Sequence, residues 1–141
     1  MPESPFYAKA MAGMPSLVGH WLMRGLAPPD QLAVILADTA RLVQLGEPSA
    51  DPDGATLLAW SQGQQPPIWA AKSALFLLSQ MPGEPAPRDE EETAAWAYTW
   101  LRLRDFHTLD SARDALPFHL REPLNATLDE AWTDLRAQRL V

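Results

Sequence analysis

The chain has 141 residues, is 47% hydrophobic and 21% charged, and carries a net charge of −7. That is one globular domain by length, and too apolar to be disordered. Its acidity excludes nucleic acid and anionic membranes as attractive partners, and the absence of cysteine excludes disulfides, a thiolate nucleophile and thiolate metal sites.

The stretch from Met1 to Ala12 has two prolines, Glu3 and Lys9 and no continuous apolar run, so it does not read as a signal peptide. No later stretch is long enough to span a bilayer, and a cytoplasmic protein is the expectation. Alanine and leucine are plentiful and β-branched residues few, which predicts an all-α fold. Lys9 and Lys72 are the only lysines. With the many arginines, prolines and alanines, this is a composition associated with GC-rich bacterial genomes.

Prolines mark most of the predicted helix starts. Ser4-Pro5 opens a short helix to Ala12, stopped by Gly13, and Pro15-Ser16 opens Leu17–Arg24, stopped by Gly25. Pro28-Pro29-Asp30 starts the clearest helix, running to Leu45 with Gly46 as its stop. Its Leu32, Ile35, Leu36, Ala40 and Val43 follow helical spacing, and Val34, Ala37, Leu42 and Leu45 widen the stripe, as in a helix touched on more than one side. Asp51-Pro52 begins a short helix carrying Leu57, Leu58 and Trp60. After the loop Gly63–Pro67, the run Ile68–Gln80 reads as a buried helix.

A proline-rich linker, Met81–Arg88, separates two helical subregions of what reads as a single domain over residues 1–141. Four acids, Asp89 to Glu92, then occupy a first helical turn, where the macrodipole favours them. Trp96, Trp100 and Leu103 form the stripe of that helix. Thr108–Leu116 is a short helix ended by Pro117, and Pro123 begins the last, with Leu124, Leu128, Ala131, Trp132 and Leu135 on one face. The expectation is a compact orthogonal bundle of six to eight short helices.

Catalytic and metal-binding patterns are absent. His20 reads as a satisfied helix histidine and His107 as a cation at a helix C-terminus. His119 and Glu122 are three apart, but the bracketing Pro117 and Pro123 argue against a regular helix there, and no second ligand pair exists. Asp89–Glu92 lacks the alternating ligands of a calcium loop. Asp38 has Arg41 at i+3 as its ion-pair partner. There is no Gly-x-Ser-x-Gly elbow and no glycine-rich phosphate loop. The chain therefore reads as a non-enzyme without metal or cofactor.

Six tryptophans carry most of the remaining information. Trp21 and Trp132 sit among aliphatic neighbours on single helical faces and read as core, and Trp60 is expected to join them against the Ile68–Leu78 helix. Trp69 follows a rigid proline loop, and the Trp96/Trp100 pair lies on a helix with Tyr98 on another face. Trp69, Trp96 and Trp100, with Arg102 and Arg104, are the candidate partner-binding residues, since Trp and Arg are enriched at interface hot spots. The competing reading is that the arginines cap helix ends and stack on core rings.

The order Leu-Val-x-x-Trp-Leu (17–22), Leu-Ala-Pro-Pro-Asp-Gln (26–31), Ala-Arg-Leu-Val (40–43), Ala59-Trp60-Ser61-Gln62-Gly63 and Trp69–Leu75 resembles a family of uncharacterised helical bacterial proteins, some encoded near type VI secretion genes. The likeness covers about the first 80 residues and transfers no catalytic residues. It implies an accessory role, an adaptor or chaperone binding a secreted effector or a secretion component. Two rival readings are an immunity protein that plugs a toxin's basic site with an acidic surface, and an enzyme or small-ligand-binding bundle. A homodimer that buries its own exposed rings is a further reading.

Overall fold

A computed structural model describes residues 4–139; residues 1–3, where the stretch read for a leader begins, lie outside them. The fold is all-α. Among the described residues there are seven helices and no strand: α1 Pro5–Arg24, α2 Pro29–Leu42, α3 Gly54–Ser61, α4 Ile68–Leu78, α5 Glu90–Leu103, α6 Leu109–Asp114 and α7 Phe118–Arg139. No helix among them is long and apolar enough to cross a membrane. The helices group into two compact units, one of residues 1–13 and 86–141, the other of residues 14–85.

In the first unit, α5 packs along α7 and α6 also lies against α7. The start of α1 joins them through Gly13, where an added Cβ would stand 2.1 Å from the Glu91 carbonyl oxygen and 3.0 Å from Ala95 Cβ. Only glycine permits that approach. Gly13 and Pro15 therefore do not end a helix as their residue types suggest, and the two short helices expected from the sequence are one continuous α1. The last helix likewise begins before its proline. Phe118 is its first residue and Pro123 lies inside it, with Leu120 N–H already bonded to the Pro117 carbonyl at 2.9 Å.

In the second unit, α2 packs against both α3 and α4. The Asp30 carboxylate, in the first turn of α2, accepts from Gly54 N–H at 2.6 Å, tying the starts of α2 and α3 together. Asp53 caps α3 by accepting from Thr56 N–H at 2.8 Å, and that bond holds its carboxyl below the usual value. Trp21 is buried, and its indole N–H donates to the Leu32 carbonyl at 3.2 Å.

α2 ends at Leu42, three residues short of the sequence expectation. Gln44 takes a left-handed conformation at φ 61°, and Leu45 N–H reaches back to the Ala40 carbonyl at 2.9 Å. This is the helix-ending turn that glycine usually makes, here made by glutamine two residues before Gly46.

Two substitutions test these backbone constraints. Gly13→Ala should lower stability by about 1–3 kcal/mol, since a backbone carbonyl cannot yield as a side chain can. Gln44→Gly should raise it, by up to about 1 kcal/mol, by relieving the left-handed residue. Urea denaturation of both variants, read by tryptophan fluorescence, measures the two shifts.

Candidate partner-binding surface

The five residues proposed from sequence divide into three groups. Trp96 is buried at 0% exposure, and Trp100 is buried with its indole N–H donating to the Ala112 carbonyl at 2.9 Å and its ring stacked on Phe106 at 6.2 Å. Every residue of α5 from Ala94 to Leu101 is buried, so the helix with aromatics on two faces is core on both. The expectation that Trp96 and Trp100 face a partner is corrected: an i, i+4 pair on a helix covered all round has no outer face.

Arg102 lies with its guanidinium carbon 3.5 Å from the centroid of the Tyr98 ring and donates to the Tyr98 carbonyl at 3.3 Å. It does what the competing reading assigned it, stacking on a ring near its own helix end. Tyr98 meets Tyr7 edge-on at 5.9 Å. Burial pushes the Tyr98 phenol above its ordinary 10.0, against the lowering effect of the Arg102 charge. Arg104 is exposed in the extended residue that ends α5.

Trp69 is half-buried in the first turn of α4. Its ring meets that of Trp60, which is buried, edge-on at 5.9 Å. Its base presses on Gly46, where an added Cβ would stand 2.4 Å from Trp69 Cβ. That contact brings the chain just past α2 to the start of α4. At the end of α2, Leu42 is 81% and Val43 40% exposed, and Ile68, the first residue of α4, is 44% exposed. The exposed Leu42 and Val43 thus lie at the C-terminal end of α2, and the exposed Ile68 and half-buried Trp69 at the N-terminal end of α4, the two ends joined through Gly46.

Sequence reasoning missed Leu42, Val43 and Ile68. They were counted into buried stripes, but α2 stops early, and Leu42 lies about 200° around the helix from the buried Ala40. Ile68 is the first residue of α4, before the helix has entered its buried run. The signal that could have found Ile68 is Pro66-Pro67, which fixes the helix start on the surface. Trp132, also expected in the core, is half-buried.

The charged features are largely occupied within the protein. Asp89 caps α5 through Glu92 N–H at 2.8 Å, and Glu92 is buried against Arg88 at 3.2 Å. Lys9 stands 4.0 Å from Glu90. Arg121 donates to the Asp114 and Leu116 carbonyls at the end of α6, and Arg41 bridges Asp38 at 3.1 Å and Asp51 at 2.8 Å. Lys9, Arg88, Asp89, Glu90 and Glu130 line an open cleft of about 510 Å³ in the first unit. His20 is buried, His107 exposed, and His119 half-buried in the first turn of α7, a regular helix despite the flanking prolines. Among the described residues no group of three His, Asp or Glu side chains could hold a metal ion.

No protein-family model, curated protein or solved structure matches the chain.

The raised Tyr98 phenol has a measurable consequence. The fold favours its neutral form, so the stabilisation is fully present below pH 10.0 and is lost as pH rises through the higher folded value. Phenolate absorbance should show one of the two tyrosines ionising late in the folded protein. Tyr98→Phe should remove that late step, whereas its persistence would place it on Tyr7.

Proposed function

We propose that this protein works without catalysis, by binding another protein through the α2–α4 end formed by Leu42, Val43, Ile68 and Trp69. The observation that carries the reading is that exposed Leu42 and Val43 end α2, exposed Ile68 and half-buried Trp69 begin α4, and Gly46 ties those two helix ends together. A half-buried tryptophan next to an exposed aliphatic residue is the usual hot-spot anchor. The site contains no nucleophile, no acid–base pair and no metal-ligand set.

The likeness of the first 80 residues to secretion-associated helical proteins extends this to a role. The chain acts as an accessory factor, an adaptor or chaperone that holds a secreted effector or a component of the secretion machinery. An immunity role is less well supported, because two of the four acids in Asp89–Glu92 cap α5 and pair with Arg88.

A photo-cross-linking amino acid placed at Ile68, and separately at Leu42, tests the surface in cells. Both positions should join the chain to the same discrete polypeptide, and the same group at exposed Ala55 on α3 should not. No adduct at 42 or 68, or equal adducts at 55, would contradict the reading. Leu42→Ser/Ile68→Ser should abolish partner recovery while changing stability by about 0.5 kcal/mol per site or less, as exposed substitutions do. Trp96→Ala should instead cost about 3–5 kcal/mol, as a core truncation does.

A further inference from the structure

We propose that Met23 is a reversible oxidation site, a thioether that takes an oxygen atom from a hydroperoxide and loses it again to a dithiol-dependent reductase. This chemistry is separate from the protein-binding reading above.

The first ground is the sulfur of the chain. There is no cysteine, so no thiol competes for a two-electron oxidant, and the five methionines hold all the sulfur. Among thioethers, exposure decides which one reacts. Met23 is 62% exposed and Met14 only 1%. Met11 and Met81 are half-buried, so Met23 is the one exposed methionine among the described residues.

The second ground is that the fold fixes this exposure. Trp21 is held inside by its indole N–H on the Leu32 carbonyl at 3.2 Å. Met23, two residues on, stands about 200° further around α1, on the side away from that contact. Gly25 N–H then closes on the Trp21 carbonyl at 2.8 Å, and a Cβ at residue 25 would stand 2.5 Å from Leu32 Cδ2. The end of α1 is thus clamped to α2 by its inner face, and it cannot roll to bring the Met23 sulfur inward.

The step is a two-electron oxygen transfer. The Met23 sulfur attacks the outer peroxide oxygen, and an S–O bond forms as the O–O bond breaks. The departing oxygen takes up a proton and leaves as water or an alcohol, so the sulfur is oxidised and the peroxide reduced. In the return step a dithiol supplies two electrons and two protons and becomes a disulfide, while the sulfoxide oxygen leaves as water. At Met23 the polar sulfoxide stays in solvent and the fold survives the cycle. At Met14 it would be forced into the core.

The test treats the full chain with limiting hydrogen peroxide and follows each methionine by mass spectrometry. Trypsin leaves Met11, Met14 and Met23 in one peptide, Ala10–Arg24, whose fragment ions separate the three. In the folded protein Met23 should oxidise at least about tenfold faster than Met14 and severalfold faster than Met11 and Met81, and in urea the four rates should converge. Methionine sulfoxide reductases with dithiothreitol should then restore Met23. Met23→Leu should remove the fast uptake of oxygen and leave the helical circular dichroism unchanged.

Faster oxidation at Met11 or Met81, or equal rates at Met23 and Met14, would overturn the proposal. A Met23 sulfoxide that the reductases leave intact would overturn its reversibility. The same order of rates in urea would assign the difference to local sequence rather than to the fold, and would overturn it too.

Discussion

Gly46 has no side chain, and Trp69 stands where its Cβ would be. That contact locks the turn after α2 to the first turn of α4, and the candidate surface depends on it. It holds the Trp69 ring against Trp60 on one side and leaves Ile68 and the end of α2 uncovered on the other. Were residue 46 larger, the turn after α2 and the start of α4 could not approach so closely. The left-handed Gln44 serves the same geometry, because it turns the chain out of α2 soon enough to deliver Gly46 to the tryptophan.

The two halves of the chain use their aromatic residues differently. In the unit of residues 1–13 and 86–141 the two tryptophans of α5 are structural. Trp96 and Trp100 fill a helix buried all round, the Trp100 indole satisfies an α6 carbonyl, and Arg102 lies over Tyr98. In the unit of residues 14–85, Trp21 and Trp60 are structural in the same sense, whereas Trp69 is shared between the core and the surface. A half-buried ring already braced by a second ring binds with little loss of side-chain freedom, which is the advantage of aromatic anchors at interfaces.

Much of the fold was legible in the sequence. The proline and glycine punctuation located α3, α4, α5 and α6 closely, and composition alone indicated an all-α protein. The errors have a common physical origin. Gly13 and Pro15 look like helix breakers, yet a helix passes through them because α5 approaches too closely for any side chain at 13. Leu45 looks like the end of α2, but a turn residue with no sequence signature ends it earlier. Both depend on tertiary contacts that local patterns do not encode. The site was legible only at Trp69, where the rigid loop Pro66-Pro67 fixed the start of a helix. Trp96 and Trp100 misled because a two-sided aromatic helix reads the same whether it is fully buried or half exposed. Leu42 and Ile68 were hidden among other apolar residues and differ from them only in where their helices stop and start.

The absence of native cysteine offers a direct test. Ile68→Cys and Leu42→Cys each place a single thiol on the α2–α4 end, and Ala55→Cys places one on the exposed face of α3. The measurement is the rate of maleimide labelling in the intact cells that make the protein, relative to the rate in the purified chain. The account predicts fast labelling of all three when purified and protection at 42 and 68, but not at 55, inside the cell. Equal rates at all three positions in both settings would mean that nothing covers this surface, and would contradict it.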